Sequence, residues 1–122
     1  MQRGERQMAA VAMAMPVLPG KEQTWRDYVS QLESPEMRDD YMRSRRGVGM
    51  SRETVWSQQT PDGRLMAVVL MEADDLNAVF GNLATSEDAF TGRFRDFIKD
   101  VHGVDFATDP LPEVNMLSDT RF

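Results

Sequence analysis

His102 is the single histidine of the chain and the one side chain that titrates near neutral pH without perturbation, so it is the first candidate general base for a proton-transfer or oxygenation reaction. It stands directly before Gly103, where the same ring would serve equally well by hydrogen-bonding the last carbonyls of a helix. Five arginines (Arg38, Arg43, Arg45, Arg46 and Arg52) fall in one short stretch, and their planar forks of donors match carboxylates and phosphates. Arg46 is the member assigned to a ligand. Asp39, Asp40 and Glu53 lie close by in sequence and could neutralise the group, leaving a salt-bridged helix end. Trp56 shares a strand face with Thr54 and Gln58 and would set an aromatic wall beside polar groups, unless it only packs in a core or interface. Tyr28 and Tyr41 offer hydroxyl donors from apolar helical stripes, where core packing is the competing use. Met13 belongs to a set of ten methionines whose flexible thioethers shape an adaptable cavity or simply fill a core. The candidate ligand-binding set is therefore Trp56, His102, Tyr28, Tyr41, Arg46 and Met13. Acidic pairs such as Asp39-Asp40, Asp74-Asp75 and Glu87-Asp88 suit helix starts and supply no coordination spacing, so we assign no metal and no cofactor.

Composition narrows the classes that could use these residues. The chain has 122 residues, which fits one domain with one core. Cysteine is absent, which removes disulfides, thiolate metal sites and cysteine nucleophiles, and makes the cytoplasm the expected compartment. A net charge of -6 argues against a general nucleic-acid binder. The longest apolar stretch, residues 8–18, has about half the length that a membrane-spanning helix needs. We read it as a strand and expect no membrane partner. Residues 1–7 are polar and lack periodicity, which suggests a disordered leader before a single domain over 8–122, with an extended C-terminal tail from about 107.

The positioning elements follow from periodicity. Residues 9–17 and 64–73 are strand candidates that are apolar on both faces. In the first, Ala10, Ala12 and Ala14 alternate with Val11, Met13, Met15 and Val17. Pro19-Gly20 ends it, and Trp25, Tyr28, Val29 and Leu32 recur as one helical stripe over about 21–33. Ser34 and Pro35 read as the N-cap and first residue of a second helix running to about residue 45. Residues 51–59 resume period two, and Thr60-Pro61-Asp62-Gly63 has the residues of a hairpin turn with a glycine bulge. A short helix carries Leu76, Val79, Phe80 and Leu83; Thr85 with Asp88 suggests a capping box for a longer helix bearing Phe90, Phe94, Phe97, Ile98 and Val101. Gly103 is its expected C-cap. Residues 104–106 and 114–117 compete to be the last strand.

A right-handed crossover followed by a hairpin makes the economical fold α+β, a ferredoxin-like βαββαβ sandwich with an antiparallel sheet and both helices on one face. The other sheet face is left apolar and expects a second copy of the chain, with Val69 or Met71 as places where lysine would break the contact. Leu18-Pro19-Gly20-Lys21, Glu53 to Thr60 with Trp56, the Thr-Pro-Asp-Gly hairpin, Asp74-Asp75 and Val101-His102-Gly103-Val104-Asp105 resemble the dimeric α/β-barrel superfamily, and more closely its small bacterial members without an assigned reaction. The resemblance covers about residues 8–106 and implies two sheets packed face to face in a homodimer. It also implies relatives that include cofactor-independent monooxygenases, haem-degrading enzymes, lactone isomerases and peroxidases, so fold selects no activity. Haem degraders of that group use an asparagine on strand one, which this chain lacks, and the sole histidine sits in a poor context for a proximal haem ligand.

Three readings follow. The first is a homodimer that binds a small hydrophobic or aromatic carboxylate in a pocket between sheet and helices. The second is a cofactor-independent monooxygenase or isomerase on the same fold, with His102 as base. The third is a protein-interaction subunit without a pocket.

Overall fold

In a computed structural model that describes residues 9–111 and 113–122, the chain runs β1 (Ala9–Pro16), α1 (Glu22–Gln31), α2 (Arg38–Gly47), β2 (Met50–Gln59), β3 (Leu65–Ala73), α3 (Leu76–Thr85) and α4 (Ala89–His102). The leader expected over 1–7 lies outside the described residues. This is an α+β fold with one three-stranded sheet in the order β1-β3-β2, every neighbouring pair antiparallel.

The hairpin between β2 and β3 forms as its residues dictate. Gly63 takes φ 87°, its N–H donates to the Thr60 carbonyl, and Thr60 N–H returns to the Arg64 carbonyl. Thr60 Oγ1 also donates to the Asp62 carboxylate. Glycine is needed here because an L side chain is strained at that φ.

Alternation along the central strand separates the faces of the sheet. Leu65, Ala67, Val69, Met71 and Ala73 are all buried, and they pack with Met13 and Val17 of the β1 region against Trp25, Val79, Leu83, Phe94, Ile98 and Val101 from the helices. Burying five such positions from one strand provides much of the drive for the helical layer, at roughly 25 cal/mol per Å² of apolar surface. Val69 and Met71 thus point into the core, not toward the open face where the dimer argument had placed them. The open face carries exposed Ala10, Ala12 and Ala14, half-buried Met66, Val68 and Leu70, and Trp56 at 49% exposure. No described strand residue on that face is buried.

Three local expectations are corrected. The Ser34 carbonyl accepts from Met37 and Arg38 N–H, so Ser34-Pro35 makes a turn and α2 begins at Arg38 without a side-chain cap. The cap of α4 is Asp88, whose Oδ2 accepts from Thr91 N–H at 3.0 Å; Thr85 instead ends α3. Asp75 caps α3, its carboxylate accepting from Ala78 N–H at 3.1 Å. Finally, neither candidate last strand pairs among the described residues. Asp105 takes the chain into a turn, its carbonyl accepting from Thr108 and Asp109 N–H and its carboxylate from Ala107 N–H, and Pro110 has no N–H to give a sheet ladder. Val114, Met116 and Leu117 are exposed.

Candidate functional site

Between the inner sheet face and the helices lies an apolar cavity of about 250 Å³. Met13, Val55, Val69 and Met71 form its sheet wall, and Trp25, Tyr28, Phe94 and Ile98 its helical wall. Val104 and Phe106, from a segment expected to supply a strand, and Leu111 beyond it close its flank. The C-cap that starts this segment is as expected: Gly103 adopts φ 73° and its N–H bonds to the Lys99 carbonyl.

One end of the cavity is charged, and α2 supplies the charge. Tyr41, Ser44, Arg45 and Val48 recur at i, i+3, i+4 and i+7, so the face of α2 turned inward carries two polar residues among its four positions. Ser44 Oγ shares a 2.6 Å hydrogen bond with Thr91 Oγ1 of α4, which satisfies both hydroxyls in the interior. Arg45 donates from Nε to Glu53 Oε1 at 2.9 Å, and its guanidinium carbon lies 4.1 Å from the centre of the Phe94 ring and 5.0 Å from that of Tyr41. Side-chain exposures are only 8% for Arg45 and 7% for Glu53. Tyr41 Oη donates to the same carboxylate oxygen at 2.6 Å, and burial, with the Glu53 charge behind it, pushes the Tyr41 hydroxyl well above its ordinary pKa.

Glu53 reaches this position through a bulge. The register of β2 shifts between Met50, opposite Ala73, and Arg52, opposite Glu72, leaving Ser51 unpaired in the ladder. Strict alternation from buried Met50 would point Glu53 outward; the extra residue turns Glu53 and Val55 inward and Arg52 outward, where it pairs with Glu72 at 3.0 Å.

His102 stands toward the other end. Phe94, Ile98 and His102 form one i, i+4, i+8 ridge of α4, which at 1.5 Å per residue separates the Arg45 and His102 ends by about 12 Å of helix. Nδ1 of His102 lies 2.8 Å from the Pro16 carbonyl, an obligate acceptor, so that nitrogen carries the proton and Nε2 holds the lone pair of the neutral ring. Burial lowers the His102 pKa, and the Pro16 contact offsets part of that effect. The site therefore presents an uncharged imidazole base at one end and a neutralised guanidinium at the other.

Of the residues singled out from sequence, Met13, Tyr28 and His102 line the cavity, while Tyr41 stands behind it as a donor to Glu53. The structure does not bring Trp56 or Arg46 to it: Trp56 lies on the open sheet face and Arg46 is exposed. Arg43 is the salt-bridged helix end anticipated for the group, held by Asp40 at 2.7 Å and Asp88 at 2.9 Å. Sequence reasoning missed Arg45 as the buried member of the cluster. Its signal was positional, since it lies four residues after Tyr41 on a helical face.

The chain matches no family profile and no curated protein. Among the described residues, no group of three or more histidines and carboxylates could hold a metal, and no helix is long and apolar enough to cross a membrane.

Proposed function

We propose that this protein binds a small, largely apolar or aromatic molecule with one oxygen-bearing head in the cavity between sheet and helices. The observation that supports it is the combination of apolar walls with a buried guanidinium whose Nε alone is engaged by a carboxylate. Ligand pockets share that economy: hydrophobic lining with a few convergent polar groups that fix orientation. The volume suits a compact ligand, since drug-sized pockets span roughly 300–1,000 Å³. Native mass spectrometry of the freshly purified protein, followed by melting with candidate ligands, tests this reading: a retained small mass or a concentration-dependent rise in Tm supports it, and absence of both across small aromatics counts against it.

The molecule is further proposed to work as a cytoplasmic homodimer on a ferredoxin-like scaffold. Sheet order β1-β3-β2 is compatible with that scaffold, and the apolar open face around Trp56, Val68 and Leu70 suits a second copy packed sheet to sheet in the manner of a dimeric α/β barrel. Catalysis is the second reading, favoured by one feature, the His102 Nε2 lone pair at the cavity wall. Loss of turnover in His102→Gln with ligand binding retained would distinguish it from binding alone.

A further inference from the structure

We propose that the ligand of this cavity enters as an electrically neutral molecule and presents a carbonyl-type oxygen to the Tyr28 hydroxyl and the free N–H groups of Arg45. This rests on the cavity reading above and proposes a neutral ligand in place of the carboxylate expected from the arginine cluster.

Arg45 and Glu53 are both more than nine-tenths buried and cancel each other at 2.9 Å. Tyr41 gives the same Glu53 oxygen a second hydrogen bond. A carboxylate ligand would place a second negative charge on a guanidinium that already has one. Arg45 is the one arginine or lysine among the described lining residues, and burial lowers the His102 pKa. The added charge would be buried and uncompensated, which proteins avoid.

The available donors point the same way. A guanidinium carries five N–H donors. Here Nε serves Glu53 and Nη1 makes one long 3.4 Å contact with Ser44 Oγ, and no described side chain or backbone group accepts from Nη2. The Tyr28 hydroxyl is buried and has no hydrogen-bond partner among the described residues. Its ring is held by stacking on Phe97, with centroids 3.9 Å apart and planes at 15°. Burial raises the Tyr28 pKa, so the hydroxyl stays protonated and is a donor in search of an acceptor. One carbonyl oxygen has two lone pairs and can accept from both Tyr28 and Arg45.

A matched set of probes tests the idea on the full chain at pH 7.5: acetophenone, neutral with one carbonyl; benzoate, the anion of similar size; and ethylbenzene, which lacks the oxygen. Calorimetric titration is expected to rank acetophenone at least tenfold tighter than both others. Tyr28→Phe should weaken acetophenone about tenfold and leave ethylbenzene unchanged. Benzoate binding tighter than acetophenone would overturn the neutral ligand while leaving the cavity reading intact. Equal affinity for acetophenone and ethylbenzene, or a Tyr28→Phe protein with unchanged acetophenone affinity, would overturn the oxygen contact. If none of the three binds, the cavity reading itself fails and this inference falls with it. The ranking on the unmodified protein decides the question even if the variant folds poorly.

Discussion

Arg45 and Glu53, eight residues apart and on different elements, meet in the interior with Nε 2.9 Å from Oε1, and the guanidinium rests on the Phe94 ring. Removing one partner strands the other charge in a largely buried site. Glu53→Gln is expected to destabilise the fold by roughly 3 kcal/mol, whereas the double change Arg45→Met with Glu53→Met should recover most of that loss. Urea denaturation of the three proteins checks this. A single variant as mild as a surface substitution would show that the pair is solvated after all.

Tyr28→Phe should stabilise the ligand-free protein. The hydroxyl is buried without a partner, and deleting it removes a desolvation penalty while keeping the ring stacked on Phe97. A gain of up to about 1 kcal/mol is expected from the cost of an unmade hydrogen bond. Thermal melts at identical buffer composition provide the comparison, and a clear loss of stability would mean that the hydroxyl has a partner in solution.

Stability should fall as the solution becomes mildly acidic. His102 has a folded-state pKa below its ordinary 6.5 because burial disfavours the charged ring. Between that depressed value and about 6.5 the unfolded chain binds the proton and the folded chain does not, so stability rises with pH in this window. It declines as pH drops through about 6.5 toward the folded value and levels off below it. His102→Gln should flatten the Tm profile between pH 7.5 and 5.5; an equally steep profile in the variant would assign the effect to other groups.

Asp88→Ala should destabilise α4 by about 1 kcal/mol through loss of its N-cap. The carboxylate is held below the usual range chiefly by the Thr91 N–H bond, with the Arg43 and Thr91 side chains adding further hydrogen bonds. Asp88→Asn keeps a capping oxygen and should lose far less. Similar losses in both variants would transfer the credit from the cap to the Arg43 ion pair, which is exposed and expected to contribute little.

Neighbouring residues on β3 separate folding from assembly. Val69→Lys places a charge in the core and should abolish soluble folded protein. Leu70→Lys lies on the open face and should leave a folded chain, converting the proposed dimer to monomer in size-exclusion chromatography with light scattering. A Leu70→Lys protein with unchanged mass would remove that face from any dimer contact.

The cavity was only partly legible before folding. Met13 and Tyr28 sit on apolar periodicities, which mark the buried side of a strand or helix, while His102 was found as the sole histidine of the chain. Arg45 occupies an equivalent inward position on α2 but is charged, and a hydrophobicity pattern cannot distinguish a buried arginine from its solvated neighbours Arg43 and Arg46. Glu53 was hidden for a different reason: the bulge at Ser51 reverses the facing of β2, and the paired strand that defines the bulge is about twenty residues away in sequence. Trp56 followed the alternation correctly, yet a strand pattern does not say which of its two faces the helices will cover.

By itself the sequence determined what short-range chemistry controls: the Thr60 to Gly63 hairpin, the stripes of α1 and α4, the Gly103 cap and the antiparallel pairing of β2 with β3. These depend on backbone sterics, turn preferences and a period of 2 or 3.6, all satisfied within a few residues. Tertiary structure alone decided which sheet face became core, that the segment after Gly103 closes a cavity instead of adding a strand, and that one arginine of five is buried against Glu53. Those outcomes depend on burial and on partners brought together from distant parts of the chain, because a charged side chain enters the interior only where a specific opposite charge and aromatic surface already await it.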